Sequence, residues 1–356
     1  MKPITHTITA LAALCAVSCT QPEYTSIYDM FTKERELKIT EEVAISEPIS
    51  YITKGIIQDS LFFAQIRQST HNIYAINIFT GEVEGKIIPK GRGRGEATNI
   101  SLLGLVDNDI VCFGWGNKSV VRADLNEAMN SNNAAELRST KWKSDGKSMW
   151  ANIIPLPNEK YISNQFTEEG IFHILDSDLE ELCPFQKYEK VSDSDMENNS
   201  TYQGLMHLAP SKDRFIHTSY LNNNIHIYDI TSLDSEPRLV KHYKDELPKF
   251  ELKSAEYGEY VEPLGSNILG TGALTASNKH FYLLNIGLSY DEFRALGDEA
   301  DEGATTILVF DRDGRPVEKL ILERPATDIY YSETNNSLYT IGINDREEDC
   351  LIRYQL

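Results

Sequence analysis

The chain has 356 residues, of which 54 are Asp or Glu and 34 are Lys or Arg, so its formal net charge is −20 at pH 7. Binding to phosphate backbones needs a basic surface, so this charge excludes nucleic acid as an expected partner. Hydrophobic residues make up 41% of the chain. The net negative charge keeps such a protein soluble and dispersed, and we therefore expect a monomer.

The amino-terminal segment has the pattern of a bacterial export signal. A single lysine precedes an apolar stretch from Ile8 to Val17, which is too short to cross a bilayer as a helix. Cys19 follows small residues in AVSC, which resembles the lipobox of bacterial lipoproteins, where the cysteine becomes the acylated first residue. We predict a lipoprotein signal peptide over residues 1–18 and a lipidated Cys19 with a tether over residues 19–35. The alternative is an ordinary signal peptide cut near Ser18.

Lipidation predicts a location at a membrane. Acyl chains anchor a protein because each buried methylene contributes about 0.8 kcal/mol. The predicted partner of the amino terminus is therefore a membrane of a Gram-negative cell envelope. By resemblance to lipoprotein sorting, Thr20 is not the aspartate that favours retention in the inner membrane, so we expect the outer membrane. The leaflet is left open.

A strand phrase recurs along the rest of the chain. In each copy a β-branched or aromatic strand runs into Asp or Asn, turns within a few residues and resumes as another strand. The turn-entering residues, 47 to 82 positions apart, are Asn77, Asp124, Asp176, Asp229 and Asp311. A period of roughly 50 residues indicates stacked supersecondary units. We predict an all-β fold, a six-bladed β-propeller of four-stranded antiparallel blades, over residues 36–356.

The amino-terminal part of this domain is predicted to close the ring. The last repeat stops after its third strand, which would leave an unpaired sheet edge of the kind that natural β proteins avoid. The segment from Glu36 to Ile45 alternates apolar and polar residues and has no partner of its own. We therefore predict that this segment supplies the outer strand of the last blade.

One face of the propeller is predicted to be rich in long loops. Connections between blades share a face with the loops that join second and third strands. Five unusual segments fall on that face: Pro89–Asn99, Gly114–Lys118, Val191–Tyr202, Asp245–Thr271 and the acidic Leu288–Gly303, which can form a turn or two of helix. Because long loops on a rigid scaffold commonly carry binding, we predict that this is the functional face.

The segment KGRGRGE, residues 90–96, is the most specific local signal on that face. Its three glycines relieve backbone restrictions and alternate with three cations on an otherwise acidic chain. One interpretation is an anion clamp for a carboxylate, phosphate or acidic sugar; the other is a crossing loop braced by Glu96, with solvated arginines. We also consider Trp115 as a stacking surface for a sugar or peptide. The predicted binding residues are Lys90, Arg92, Arg94, Glu96, Trp115 and Asn117.

This glycine-rich loop after the first blade, in a six-bladed chain with a lipobox, resembles the TolB-like six-bladed propeller lipoproteins. The resemblance covers residues 36–356 at the level of blades and is close in this loop and in the repeat phrase. Arg94 departs from the proline that relatives often have there. The resemblance implies a binding or scaffolding propeller and supplies no catalytic residues.

Two function classes follow. The leading hypothesis is a non-enzymatic binding or scaffolding module of the cell envelope, which holds a protein, peptide or glycan on its loop-rich face. The alternative is a hydrolase or lyase with a metal-assisted site in the central tunnel, and convergence of three or more candidates there would favour it. The tunnel candidates are Asn99, Asn152, His207, Glu262 and Asp328. The eight histidines show no paired ligand spacing, so neither a metal nor another cofactor is predicted.

Overall fold

The structure is a computed structural model that describes residues 26–49, 51–116, 118–130, 136–142, 152–164, 167–233, 236–255, 258–297, 300 and 303–356. The described chain begins with a 3-10 helix (Ile27–Met30), β1 (Glu34–Leu37) and β2 (Ile39–Ala44), and strands then follow in groups of four.

The groups form blades. Blade 1 contains β3 (Ile52–Gln58), β4 (Leu61–Ile66), β5 (His71–Asn77) and β6 (Val83–Pro89). Blade 2 contains β7 (Ile100–Val106), β8 (Asp109–Gly114), β9 (Ser119–Asp124) and β10 (Arg138–Lys141). Blade 3 contains β11 (Asn152–Pro155), β12 (Tyr161–Asn164), β13 (Phe172–Leu175) and β14 (Glu181–Phe185). Blade 4 contains β15 (Gly204–Leu208), β16 (Arg214–Ser219), β17 (Ile225–Asp229) and β18 (Arg238–Tyr243).

A separate hairpin of β19 (Phe250–Ala255) and β20 (Gly258–Pro263) precedes the fifth blade. Blade 5 contains β21 (Thr271–Ala276), β22 (His280–Asn285), β23 (Ala304–Asp311) and β24 (Pro316–Ala326). Blade 6 contains β25 (Tyr330–Ser332), β26 (Ser337–Ile343) and β27 (Asp349–Gln355), with β2 as its outer strand.

The innermost strands close a ring. In cyclic order β3, β7, β11, β15, β21 and β25 each contact the next, and β25 contacts β3. Large apolar side chains fill the spaces between blades: Phe62, Phe215 and Phe281, each on the second strand of a blade, are at most 1% exposed. The predicted six-bladed propeller is therefore confirmed.

The chain ends meet as predicted. β2 pairs antiparallel with β27, and the pairs include Val43 with Leu351. An addition not predicted is β1, which lies parallel to β24 and gives blade 5 a fifth strand. Phe31 is buried and packs edge-on against Phe310, with ring centroids 5.2 Å apart. Residues 26–35, which we predicted to be part of the tether, thus lie against the propeller, because Phe31 packs on Phe310 and β1 pairs with β24.

The repeat phrase has a local physical cause. The side-chain oxygen of each turn-entering residue accepts hydrogen bonds from backbone N–H groups two to four positions further on, at 2.8–3.2 Å. These residues stand at the turn between the third and fourth strands of blades 1 to 5. Asp and Asn recur there because a short carboxylate or amide side chain can replace a backbone acceptor in a turn.

Short helices decorate the loops. α1 (Leu125–Asn130) and α2 (Asp195–Tyr202) were not predicted, and neither was the β19–β20 hairpin inside a presumed crossing segment. α3 (Tyr290–Ala295) lies in the predicted acidic loop, where Ser289 and Glu292 form a reciprocal capping box. No helix in the described ranges is both long enough and apolar enough to span a membrane.

Candidate functional site

The ring encloses an axial channel with a volume of about 830 Å³, lined by residues of all six blades. Glycines allow the inner strands to approach each other. A Cβ added at Gly55 would lie 2.9 Å from the Tyr330 ring, and one added at Gly104 would lie 2.8 Å from Pro155 Cγ. Since real Cβ atoms rarely come so close to neighbouring atoms, these glycines set the spacing of the inner strands around the channel.

Two opposite charges face the channel where blades 1 and 6 meet. Lys54 belongs to β3, and Asp328 lies two residues before β25. His207 lines the channel from β15. All three are half-buried. In the described part of the chain, neither the Lys54 ammonium nor the His207 imidazole has a hydrogen bond or ion pair.

The surrounding protein shifts the pKa of each group. Burial raises the pKa of Asp328 to about 6, although the Lys54 charge and the Tyr330 hydroxyl oppose the change. Burial lowers the pKa of Lys54, and the Asp328 charge opposes it. Burial, together with the charges of Lys54 and Lys212, lowers the pKa of His207 to about 4. At neutral pH the channel therefore contains a carboxylate, a lysine and an uncharged imidazole.

Two aromatic side chains stand where the channel opens on the loop-rich face. Trp115 is 44% exposed on the β8–β9 loop, and Tyr220 is 40% exposed on the β16–β17 loop. The Trp115 indole N–H donates a hydrogen bond of 2.7 Å to Ser101 Oγ, which fixes the ring. Burial and the Asp328 charge together raise the pKa of the Tyr220 hydroxyl, so this mouth residue lies within electrostatic reach of the channel interior.

Three of the five tunnel candidates line the channel, but no hydrogen bond or ion pair in the described part of the chain joins any two of them. Asn152, His207 and Asp328 all line the channel, on blades 3, 4 and 6. Across the residues that the structure describes, no three His, Cys, Asp or Glu side chains gather as metal ligands. The three candidates share a cavity without forming a recognisable metal centre.

The other two tunnel candidates lie elsewhere. Asn99 is exposed just before β7, where its carbonyl accepts the Trp115 backbone N–H at 3.0 Å. Glu262 is on β20, where it pairs with Lys253 and, at 3.3 Å, with Arg294. The prediction treated Glu262 as part of an innermost strand, but that segment folds back on itself as a separate hairpin.

The KGRGRGE loop is braced from within. Lys90 Nζ donates to the backbone carbonyl of Ile66 at 3.0 Å and to that of Arg67. Glu96 Oε2 accepts the Gly93 N–H at 2.7 Å, as the bracing interpretation expects.

The two arginines of this loop are exposed, and Arg94 lies 3.5 Å from the exposed Glu136. Because Lys90 is engaged with the backbone, the anion clamp stays a prediction that rests on Arg92 and Arg94 alone. Asn117 and Cys19 lie outside the described residues.

Two residues of the channel were missed by the sequence analysis. Lys54 interrupts an apolar strand directly before Gly55, and a charge in that position is a signal that could have been read. Tyr220 directly follows the buried β16 and belongs to a loop too short to attract notice.

The fold and the channel together define a six-bladed β-propeller whose axial cavity contains Lys54, His207 and Asp328 and has aromatic residues at its mouth. The profile of the TolB-like 6-blade propeller-like family matches residues 39–334, and the chain belongs to this family. No curated protein matches it in sequence.

Two solved structures share the fold. A "Putative exported protein" from Bacteroides fragilis NCTC 9343 has a TM-score of 0.57 at 10% identity, over 90% of this chain and 98% of that one. A member of the DUF4221 family from Bacteroides vulgatus ATCC 8482 has a TM-score of 0.56 at 8% identity, over 90% and 97%. At these identities the likeness establishes the fold alone.

Proposed function

We propose that the protein is a binding module of the cell envelope that takes its ligand into the axial channel from the loop-rich face. The carrying observation is a channel of about 830 Å³ in which Lys54 and His207 have no partner among the described residues. Small-molecule sites commonly have volumes of roughly 300–1,000 Å³ and a few convergent polar groups. The ligand is a small molecule or the projecting end of a peptide or glycan.

The envelope location rests on the sequence. Cys19 in its lipobox would carry the acyl anchor, and Thr20 favours the outer membrane. With the amino terminus at a membrane, the tether would hold the propeller near that surface. The name of the exported protein from Bacteroides fragilis is consistent with this location.

The mouth of the channel provides the first test. The lipidated full-length protein is purified from its native envelope in mild detergent, and bound species are identified by native mass spectrometry. Trp115→Ala/Tyr220→Ala should reduce the bound fraction at least tenfold, because both rings border the entrance. Phe79→Ala is the matched control: Phe79 is also 44% exposed but lies in the β5–β6 turn, on the opposite face.

Two outcomes would contradict this proposal. Equal loss from the mouth variant and the Phe79 variant would show a general effect on stability. If the bound species is kept by the mouth variant and lost from Arg92→Ala/Arg94→Ala, the ligand binds the glycine-rich loop instead of the channel.

An enzyme is the second candidate, because Asn152, His207 and Asp328 line the same channel. A carboxylate with a pKa of about 6 suits a general base for hydrolysis or lyase chemistry at neutral pH. The test is turnover of the identified ligand. Asp328→Asn should abolish turnover and leave some binding if the site is catalytic, whereas a ligand recovered unchanged from the wild type excludes catalysis on it.

A further inference from the structure

The charges of Lys54 and Asp328 are held apart. Each acts on the pKa of the other, yet no ion pair within 4.0 Å joins them. They belong to adjacent inner segments of blades 1 and 6, and the close approach of Gly55 to Tyr330 fixes the spacing of those segments. A lysine side chain on a rigid strand thus lies near a carboxylate of the adjacent blade without forming an ion pair with it.

This separation has an energetic consequence. A charge that leaves water loses hydration energy, and it recovers that energy in full only through close, hydrogen-bonded contact with an opposite charge. Lys54 and Asp328 each lose hydration without making that contact. A ligand that carries both an anionic and a cationic group would form a charge-assisted hydrogen bond with each. A ligand with one charge would satisfy one residue only, and a neutral ligand would bring no compensating charge to either.

The groups around the pair suit the same kind of ligand. The Tyr330 hydroxyl lies beside Asp328, and the Asp328 charge also reaches the Tyr220 hydroxyl. Two aromatic side chains, Trp115 on the β8–β9 loop and Tyr220 on the β16–β17 loop, line the same channel. Aromatic rings favour both apolar side chains and cations.

We propose that the channel recognises a small zwitterion, an α-amino acid or a short peptide such as a dipeptide, with Lys54 binding the carboxylate and Asp328 the ammonium group. This inference rests on the proposed function, because it requires that the channel is the ligand site. Trp115 and Tyr220 contact the side chain of the ligand at the mouth.

The test measures binding of defined probes to the purified full-length protein by isothermal titration calorimetry at pH 7.5. The zwitterionic probes are phenylalanine and diphenylalanine, the singly charged probes are phenylacetate and phenethylamine, and the neutral probe is glucose. The wild type should bind a zwitterionic probe at least tenfold more tightly than any other. This ranking needs no variant, so it stays informative if a substitution prevents folding.

The variants then assign the two charges. Lys54→Met and Asp328→Asn should each weaken binding of the zwitterion at least tenfold. Lys279→Met is the control: Lys279 is an exposed lysine in the turn between β21 and β22 and does not line the channel. Its substitution should change affinity by less than twofold.

The outcomes separate the inference from the function on which it rests. If glucose binds most tightly, the zwitterion proposal is rejected but a ligand in the channel is still supported. The same holds if phenylacetate binds most tightly and Asp328→Asn does not change its affinity. If no probe binds but the mouth variant, Trp115→Ala/Tyr220→Ala, loses the ligand that the native protein carries, the zwitterion proposal is likewise rejected. If no probe binds and the mouth variant keeps its native ligand, the channel site itself is rejected.

Discussion

At the residue scale, a buried ion-pair cluster centred on one carboxylate connects blade 2 to blade 3. Asp109, at the start of β8, lies 3.1 Å from Arg122 Nη1 and 2.5 Å from Arg138 Nη2. Arg122 is 5% exposed and donates from Nε to the Tyr161 hydroxyl of blade 3 at 2.9 Å. Such a cluster is sensitive to the loss of one member, because the remaining charge stays buried without compensation.

Asp109→Ala should lower the free energy of unfolding by about 3 kcal/mol, since among the described residues Arg122 would keep only Glu159, 3.9 Å away, as a counter-charge. Urea denaturation measures the loss. The control is Glu136→Ala, which removes an exposed ion pair and should change stability by less than about 1 kcal/mol. Equal effects of the two substitutions would contradict the description of Asp109 as the centre of a buried cluster.

Which residues could be predicted follows from the range of the interactions that define them. Asp176 and Asp311 were found from sequence because each bonds to backbone only two to four positions away. The proximity of Lys54 to Asp328 involves residues far apart in the chain, and no local sequence pattern indicates it. Glu262 was misplaced because a hairpin inserted between blades has the same alternation as a blade strand.

At the scale of elements, the amino-terminal segment fastens two blades at once. β1 extends blade 5, and β2 completes blade 6. Two ion pairs hold β2: Arg324 with Glu42 at 2.8 Å and Arg353 with Glu41 at 2.9 Å. Arg324 belongs to β24, so this pair crosses from one blade to the next.

A set of truncations should resolve the two contributions. A chain that starts at Ser26 keeps both strands, so its melting temperature should equal that of the full-length protein. A start at Lys38 removes β1 and Phe31 and should lower the melting temperature. A start at Glu47 removes β2 as well, exposes the edge of β27 and should give aggregation or loss of a single cooperative transition. Calorimetry and size-exclusion chromatography measure these outcomes; an unchanged transition for the start at Glu47 would refute closure by β2.

At the scale of the whole molecule, buried histidines should set the response to acid. The buried His217 and His226 and the exposed His242 lie directly opposite one another on three strands of blade 4, with ring centroids 5.7 and 4.1 Å apart. Burial lowers the pKa of His217 to about 3. Burial also lowers the pKa of His226 well below its ordinary value, and the charges of the neighbouring His217 and His242 lower it further. Desolvation and the Lys244 charge lower the pKa of His242.

The sign of the pH dependence follows. A histidine in the unfolded chain has a pKa of about 6.5. Below that pH the unfolded chain therefore binds more protons than the folded chain, in which these histidines stay neutral. Stability should be fully present above about pH 6.5 and fall as the pH decreases toward 4. His217→Gln/His226→Gln should flatten this decline in urea titrations at pH 7.5, 6 and 5. His71→Gln, on blade 1, should leave most of it, and an unchanged slope in the blade 4 variant would assign the decline to other groups.

The pairing of β2 with β27 also orders events in time. Thr40 and Arg353, which form a hydrogen bond across this pair, are 313 positions apart. During synthesis the closing strand emerges near the beginning and its partner near the end, so the strand waits unpaired while the intervening blades are made. Contacts so distant in sequence form slowly. A chain that ends before β27 would keep β2 unpaired. Closure of the ring therefore requires that synthesis has reached β27, so that only a chain containing this last strand can complete the fold.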